Sequence, residues 1–200
     1  AFGAAISLNG NRLAVGAPGD DGLGDSLIDS GAVYLFTFAD ADFSAPSLQG
    51  IIGAGYTGGK NLSVSELRAG SLFGTAVSLD GDRLAVGASG DAGASASRGG
   101  AGAAYLFTFA DAAFTTPALA SIIGLGYAGG NNFGISLDAG DQLGSGISLS
   151  GTRLAIGAVG DDGIDDGTPD TGAVYLFNFA DLAFSTPTLA GNIGRGYSGA

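Results

Sequence analysis

The sequence reads NRLAVGAPGD at residues 11–20, DRLAVGASGD at residues 82–91 and TRLAIGAVGD at residues 152–161. The three copies lie about 70 residues apart, and a fixed period of that length is typical of repeat proteins. Each copy is therefore expected to form the same element of one repeated structural unit.

A second stretch has the same period. GAVYLFTFAD at residues 31–40 returns in closely similar form at residues 102–111 and 172–181. From both patterns we divide the chain into unit 1 (residues 1–72), unit 2 (residues 73–142) and unit 3 (residues 143–200). Unit 3 is expected to be truncated at its C-terminal end, because it stops where the other units continue into a Gly-rich spacer.

Each unit contains four segments that are typical of β-strands. In unit 1 they are Ala4–Leu8, Arg12–Ala17, Ala32–Phe38 and a weaker segment around Leu48–Ile52. Asn9-Gly10 follows the first of them, and an Asn-Gly pair predicts a tight hairpin with a type I′ turn. Residues 53–71 are rich in Gly, Asn and Ser and are predicted to form a loop. No helix is expected, because glycine occurs too often.

One sheet of four short strands cannot bury both of its faces by itself. The units are therefore expected to pack on each other. Sheets arranged radially form a β-propeller, and sheets arranged in a row form a linear stack. We predict an all-β fold of tandem four-stranded antiparallel blades, β-propeller-like and either partial or closed in trans between chains. A linear stack of β-sheets is the alternative.

The composition excludes several classes of function. The 200 residues include no His and no Cys, which are the usual ligands of zinc and most transition metals. The commonest catalytic base is also missing, so no enzyme is expected. A formal net charge of −12 repels nucleic acids. Residues 112–137 are uncharged, but Pro117 and several glycines interrupt them, so no membrane span is expected.

Short motifs in each unit resemble the FG-GAP repeat, the propeller blade of integrin α chains and of many bacterial surface proteins. Phe2-Gly3 and Phe73-Gly74 are similar to its Phe-Gly element, and Leu143-Gly144 is a degenerate copy. Residues 15–18 are similar to its Gly-Ala-Pro element and residues 31–36 to its Gly-x-Val-Tyr strand. The resemblance implies a propeller blade in a large secreted or surface protein.

The calcium loop of the family is not carried over, because only Leu-Asn-Gly-Asn, Leu-Asp-Gly-Asp and Leu-Ser-Gly-Thr stand between the first two strands. Carboxylates do cluster in a later Gly-rich loop of units 1 and 3, and calcium prefers such oxygen ligands. No cofactor is expected, or else calcium at these loops; the alternative interpretation is a solvated turn. The candidate calcium ligands are Asp20, Asp21, Asp25, Asp29, Asp161, Asp162, Asp165, Asp166 and Asp170.

Two further sets of residues recur in every unit. An arginine lies just after the turn of each hairpin. We expect it to pair with a nearby aspartate and so connect adjacent strands or blades, rather than to bind a ligand. These structural residues are Arg12, Arg83, Arg153, Asp40, Asp111 and Asp181. A tyrosine lies among glycines near the end of each unit, and we expect it to fill the gap between successive units. These tyrosines are Tyr56, Tyr127 and Tyr197.

The sequence thus predicts a structural or adhesive repeat module of an extracellular or cell-surface bacterial protein or self-assembling fibre. Its expected partners are further copies or repeats, and a protein or carbohydrate ligand is possible. One alternative is a calcium-dependent propeller that binds carbohydrate or protein. A hydrolase that acts on polysaccharides is a weaker alternative, since paired carboxylates can hydrolyse glycosides.

Overall fold

The computed structural model describes residues 1–164 and 167–197. This part of the chain contains strands and turns but no helix, and the strands form three separate sheets, which confirms the all-β prediction.

The first sheet consists of β1 (Ala5–Asn9), β2 (Arg12–Ala17), β3 (Ala32–Thr37), β4 (Ser47–Gly53) and β5 (Leu62–Ser63). The second consists of β6 (Phe73–Asp80), β7 (Arg83–Ala88), β8 (Ala103–Thr108), β9 (Ala118–Leu125) and β10 (Phe133–Ile135). The third consists of β11 (Leu143–Ser150), β12 (Arg153–Ala158), β13 (Ala173–Asn178) and β14 (Thr188–Gly194).

The first four strands of each sheet are connected as an antiparallel meander, in which neighbours in sequence are neighbours in space. The expectation of four strands misses one feature. In sheets 1 and 2 a fifth short strand, β5 or β10, pairs in parallel with the fourth strand. It lies in the segment that was predicted to be a loop. With two or three residues, it is too short to give a periodic signal.

The hairpin turn differs from the predicted type. Asn9 pairs with Arg12 and is still part of the strand, so the two turn residues are Gly10 and Asn11. Of these two, Gly10 has a positive φ of 61°, and Asn11 is not among the residues with positive φ. A positive φ at the first turn position alone is the requirement of a type II′ turn, and glycine meets it without steric cost. Gly81 and Gly151 repeat this geometry in the other units.

The two faces of each sheet are chemically different. One face, which we call the aromatic face, carries Ile, Val, Leu, Tyr and Phe side chains. In unit 1 it consists of Ile6, Leu8, Leu13, Tyr34 and Phe36, in unit 2 of Val77, Leu79, Leu84, Tyr105 and Phe107, and in unit 3 of Ile147, Leu149, Leu154, Tyr175 and Phe177.

The opposite face, which we call the aliphatic face, carries smaller side chains and one arginine. In unit 1 it consists of Ser7, Arg12, Ala14 and Leu35, in unit 2 of Ser78, Arg83, Ala85 and Leu106, and in unit 3 of Ser148, Arg153, Ala155 and Leu176. Because side chains alternate along a strand, every apolar run of the sequence contributes to both faces.

The core lies between the sheets. One cluster of buried residues joins the aliphatic face of unit 1, through Ala14 and Leu35, to the aromatic face of unit 2, through Tyr105 and Phe107. A second cluster joins the aliphatic face of unit 2 to the aromatic face of unit 3 in the same order. None of the described residues forms a helix long and apolar enough to cross a membrane.

Candidate functional site

The contacts between successive units are the most regular feature of the described chain. The first strand of unit 2, β6, lies against β1 and β2 of unit 1, and the first strand of unit 3, β11, lies against β6 and β7. In both places two backbones meet at a pair of glycines. A methyl group on Gly16 would overlap the carbonyl oxygen of Gly74, and one on Gly87 would overlap that of Gly144. Glycine is required there by close approach of the backbones.

A serine hydroxyl bridges each pair of first strands. The backbone N–H of Leu79 donates to Ser7 Oγ at 2.9 Å, and the backbone N–H of Leu149 donates to Ser78 Oγ at 3.0 Å. Isolated parallel bridges, Gly31 with Phe73 and Gly102 with Leu143, add a backbone connection at the other end of β6 and β11. The same set of hydrogen bonds is therefore built twice.

The recurring arginine also lies at these contacts. Arg12 is 6% exposed, donates to Asp82 of unit 2 at 3.2 Å and lies over the Phe114 ring at 5.7 Å. Arg83 is 7% exposed, donates to the Gly151 carbonyl oxygen of unit 3 and lies over the Phe184 ring at 5.6 Å. Both guanidinium groups combine hydrogen bonds with a cation–π contact.

Each of these arginines also contacts the hairpin of its own unit. Arg12 donates to Asn9 Oδ1 at 2.8 Å, and Arg83 donates to Asp80 Oδ2. Asp80 in turn accepts from the Gly151 N–H at 2.8 Å. The hairpin, the arginine and the next unit are therefore held by one network.

Arg153, the counterpart of Arg12 and Arg83 in unit 3, has a different environment. Arg153 is exposed, and its side chain makes no hydrogen bond or ion pair with the residues that the structure describes. It lines an open hollow of about 350 Å³ on the aliphatic face of unit 3, together with Ser148, Ala155 and Leu176. This face occupies the position that receives the following unit in units 1 and 2.

The aspartates that were expected to pair with the arginines have another role. Asp40 accepts from the N–H of Asp42 and from the N–H and hydroxyl of Ser44, so it caps its own β3–β4 turn. Asp111 and Asp181 accept the equivalent backbone N–H groups in units 2 and 3. The hydrogen bond from Ser44 lowers the pKa of Asp40. The expected pairing with the arginines is therefore wrong, because the turn saturates these carboxylates locally.

A second recurring arrangement ties the β2–β3 loop to its own sheet. Asp91 is 2% exposed and accepts from the hydroxyl of Tyr105 at 2.7 Å, from the hydroxyl of Tyr127 at 3.2 Å and from the N–H of Gly93 at 2.7 Å. We call this set of one aspartate and two tyrosines the Asp-Tyr-Tyr cluster. Its counterparts are Asp20, Tyr34 and Tyr56 in unit 1, and Asp161, Tyr175 and Tyr197 in unit 3.

The cluster adds a role to the one expected for Tyr56, Tyr127 and Tyr197. Their hydroxyls bond within their own units. The side chain of Tyr127 belongs to the core cluster shared by units 1 and 2, and that of Tyr197 packs against the cluster shared by units 2 and 3. The sequence contained a signal for the Asp-Tyr-Tyr cluster, because all three members recur at constant spacing in every unit. The acidic neighbours of Asp20 and Asp161, which the aspartate of unit 2 lacks, obscure that signal.

The pKa values of all six tyrosines are raised. Burial is the largest cause, and the nearby aspartate of each cluster adds to it. The folded chain therefore keeps these protons to a higher pH than the unfolded chain, whose tyrosines ionise near pH 10. The resulting stabilisation is complete below about pH 10.

We expect stability to fall as the pH rises above 10, by up to about 1.4 kcal/mol per pH unit for each tyrosine that ionises only on unfolding. The measurement is an alkaline titration that follows tyrosinate absorbance and β-sheet circular dichroism together. Both signals are expected to change in one step. Tyrosinate that forms near pH 10 while the β-sheet signal is retained would contradict the cluster, and the chain in urea supplies the control titration.

The candidate calcium ligands do not converge on one point in the described residues. Asp20 and Asp161 belong to the Asp-Tyr-Tyr clusters. Asp21 accepts from the N–H of Asp29 at 2.7 Å, and Asp162 accepts from that of Asp170 at 2.7 Å. Asp25 donates its N–H to Gly22, and Asp165 and Asp166 lie outside the described residues. No group of three or more acidic side chains in residues 1–164 and 167–197 is arranged to hold a metal ion. Calcium at these loops stays a prediction.

The chain matches a model of a known protein family. A family model described as FG-GAP repeat matches residues 1–36, 60–107 and 137–177, which is more than half of the chain and includes all three units. No curated protein matches the chain. The matched segments include both strands of each hairpin and the recurring arginine, but not Phe114 and Phe184, over which Arg12 and Arg83 lie.

Proposed function

Because this chain belongs to the FG-GAP repeat family, we propose that it is a structural and adhesive repeat module of an extracellular bacterial surface protein or fibre. FG-GAP repeats are structural and binding modules, not a catalytic family, and they typically occur in extracellular or surface proteins. In this proposal the module acts by packing the β-sheets of successive units, and it associates with further copies or repeats.

One observation carries the proposal: the same contacts occur between units 1 and 2 and between units 2 and 3. The glycine pair, the serine bridge and the arginine on the next unit's phenylalanine are each built twice. A site for one ligand is usually built once, whereas a scaffold contact repeats with the unit. The regular contacts therefore favour a scaffold over a single binding pocket.

The charge of the chain fits this role. A net charge of −12 keeps a module with exposed apolar side chains soluble, because like charges repel at long range. Of the acidic residues that the structure describes, all but Asp80 lie outside the strands, as Asp25, Asp29 and Asp40 do, and the faces of the sheets carry mainly apolar side chains. The sheet faces thus provide the packing between units, and the acidic loops and turns keep the module soluble.

The proposal is tested by the same substitution at two equivalent positions. Arg83→Met removes the hydrogen bonds to Gly151 and Asp80 and the cation at Phe184, and we expect it to lower the free energy of unfolding by about 2 kcal/mol. Arg153→Met, at the open face, is the matched control and is expected to change it by less than about 0.5 kcal/mol. Urea unfolding of both variants, at a dilution that keeps the chain monomeric, supplies the comparison, and equal effects would contradict the proposal.

Thermal melting of the unaltered chain with calcium and with a chelator separates the proposal from the calcium-dependent alternative. If protein contacts alone hold the units, the melting temperature is the same in both conditions. A melting temperature that rises with calcium would favour the calcium-dependent binding module instead, because a ligand that binds the folded state stabilises it.

A further inference from the structure

The two ends of the row of units expose opposite faces. The aromatic face of unit 1 is open: Ile6 is 69% exposed, whereas its equivalent in unit 2, Val77, is 8% exposed. Phe43 beside this face is 52% exposed, whereas its equivalents Phe114 and Phe184 are fully buried against the preceding unit's arginine. Unit 1 therefore presents a surface with the composition of a core.

Unit 3 presents the complementary surface. Its aliphatic face contains the hollow of about 350 Å³ that is lined by Ser148, Arg153, Ala155 and Leu176. In unit 1 and unit 2 the equivalent serine accepts a backbone N–H and the equivalent arginine is almost completely buried. In unit 3 both side chains are exposed. Exposed apolar faces of this kind mark interaction surfaces.

We propose that the aliphatic face of unit 3 binds the aromatic face of unit 1 of a second copy of this chain. The proposal deepens the proposed function and rests on it, because it extends the packing between units to packing between chains. The occupant is a second copy because the interface continues the two interfaces within the chain. The surface that fits the hollow in unit 3 is the face of a following unit, and unit 1 presents that face unoccupied.

The internal interfaces specify the contacts. Ser148 Oγ accepts the N–H of Leu8 of the second copy, as Ser78 accepts that of Leu149. The Arg153 guanidinium lies over the ring of Phe43 of the second copy, as Arg83 lies over Phe184. Gly157 is the open equivalent of Gly16 and Gly87, and its space admits the backbone of Gly3 of the second copy.

Such an interface is heterologous, since one chain contributes its aromatic face and the other its aliphatic face. Head-to-tail contacts form a ring if the rotation closes and a filament if it does not. In either case, ring or filament, the average particle mass rises with the concentration of the chain.

Two variants, each altering one face, test the proposal by sedimentation equilibrium of the full chain. Ile6→Asp places a carboxylate in the aromatic face, and Arg153→Glu reverses the charge at the aliphatic face. We expect each to weaken self-association by about 100-fold or more, because an unpaired charge would be buried. Ile28→Asp and Arg195→Glu make the same changes at exposed positions outside both faces, and we expect their association to stay within about threefold of the unaltered chain.

The decisive measurement is a mixture of the two variants. Ile6→Asp keeps an intact aliphatic face and Arg153→Glu keeps an intact aromatic face, so one good interface remains between them. We expect a one-to-one complex in the mixture although each variant alone is monomeric. Circular dichroism of each variant checks that both are folded, and both altered side chains are exposed in the single chain.

Two results would overturn the proposal. One is an unaltered chain that stays monomeric as its concentration is raised to the millimolar range. The other is an Arg153→Glu variant that still dimerises alone, because it would show a symmetric contact of two aromatic faces. Neither result affects the loss of stability expected for Arg83→Met. The sedimentation and unfolding experiments therefore distinguish a failure of the docking proposal from a failure of the proposed function.

Discussion

Gly87→Ala is expected to lower the free energy of unfolding by about 3 kcal/mol, at the upper end of the range for overpacking. Its added methyl group would overlap the carbonyl oxygen of Gly144, which is backbone of the next unit. Backbone cannot rotate away as a side chain can, so units 2 and 3 would have to separate along their first strands. The cost includes part of the apolar contact that β11 makes with β6 and β7.

The chain provides the control for this substitution. Gly157 is the equivalent glycine of unit 3, but the nearest atom to an added methyl group is the backbone nitrogen of Gly146 at 3.5 Å. Neither Gly87 nor Gly157 has a positive φ, so alanine is not strained by the local conformation at either position. At a dilution that keeps the chain monomeric, Gly157→Ala is expected to leave stability unchanged within about 0.5 kcal/mol or to raise it slightly. Equal losses for the two variants in urea unfolding would mean that the contact between units is not what requires glycine.

The second large effect is expected for Asp91→Ala. The substitution removes the carboxylate that accepts from the hydroxyls of Tyr105 and Tyr127 and from the N–H of Gly93. The two hydroxyls keep their hydrogen bond to each other at 3.1 Å, so one hydroxyl proton and the Gly93 N–H lose their acceptor. Buried polar groups without partners are costly, and loss of the carboxylate's own desolvation cost offsets part of this. We expect a net loss of about 3 kcal/mol in the free energy of unfolding.

Asp20→Ala is the matched variant for this prediction. Asp20 accepts the same three hydrogen bonds in unit 1 but is partly exposed, so water can replace the lost acceptor. We expect a loss of about 1 kcal/mol there. Chemical denaturation of both variants gives the comparison, and a loss at Asp91 no greater than that at Asp20 would contradict the role assigned to burial.

The period of the sequence was sufficient to predict the first four strands of each unit. β2, β7 and β12 begin at the recurring arginine, and β3, β8 and β13 begin one residue after the recurring Gly31, Gly102 and Gly172. These elements are predictable because each combines β-branched and aromatic residues with a glycine at a fixed boundary. The fifth strand was not predictable, since two residues pair by position beside β4 and not by their own pattern.

The contacts of charged residues were harder to predict than the strands. Arg12 was expected to pair with Asp40, which lies in its own unit, but its partner Asp82 is the residue after the hairpin glycine of the next unit. Which aspartate pairs with Arg12 depends on how the units stack. The spacing of residues in the sequence does not give that arrangement. The turn type shows the same limitation: Gly10 is at the first turn position because Asn9 still pairs with Arg12, and one residue of register decides between the two types.

Differential scanning calorimetry of the intact chain tests the dependence of the units on one another most directly. If the shared cores between sheets supply the stability, the chain unfolds in one transition whose calorimetric and van't Hoff enthalpies agree. Separate transitions for the three units, or a calorimetric enthalpy several times the van't Hoff value, would show that each sheet is stable alone and would contradict the account.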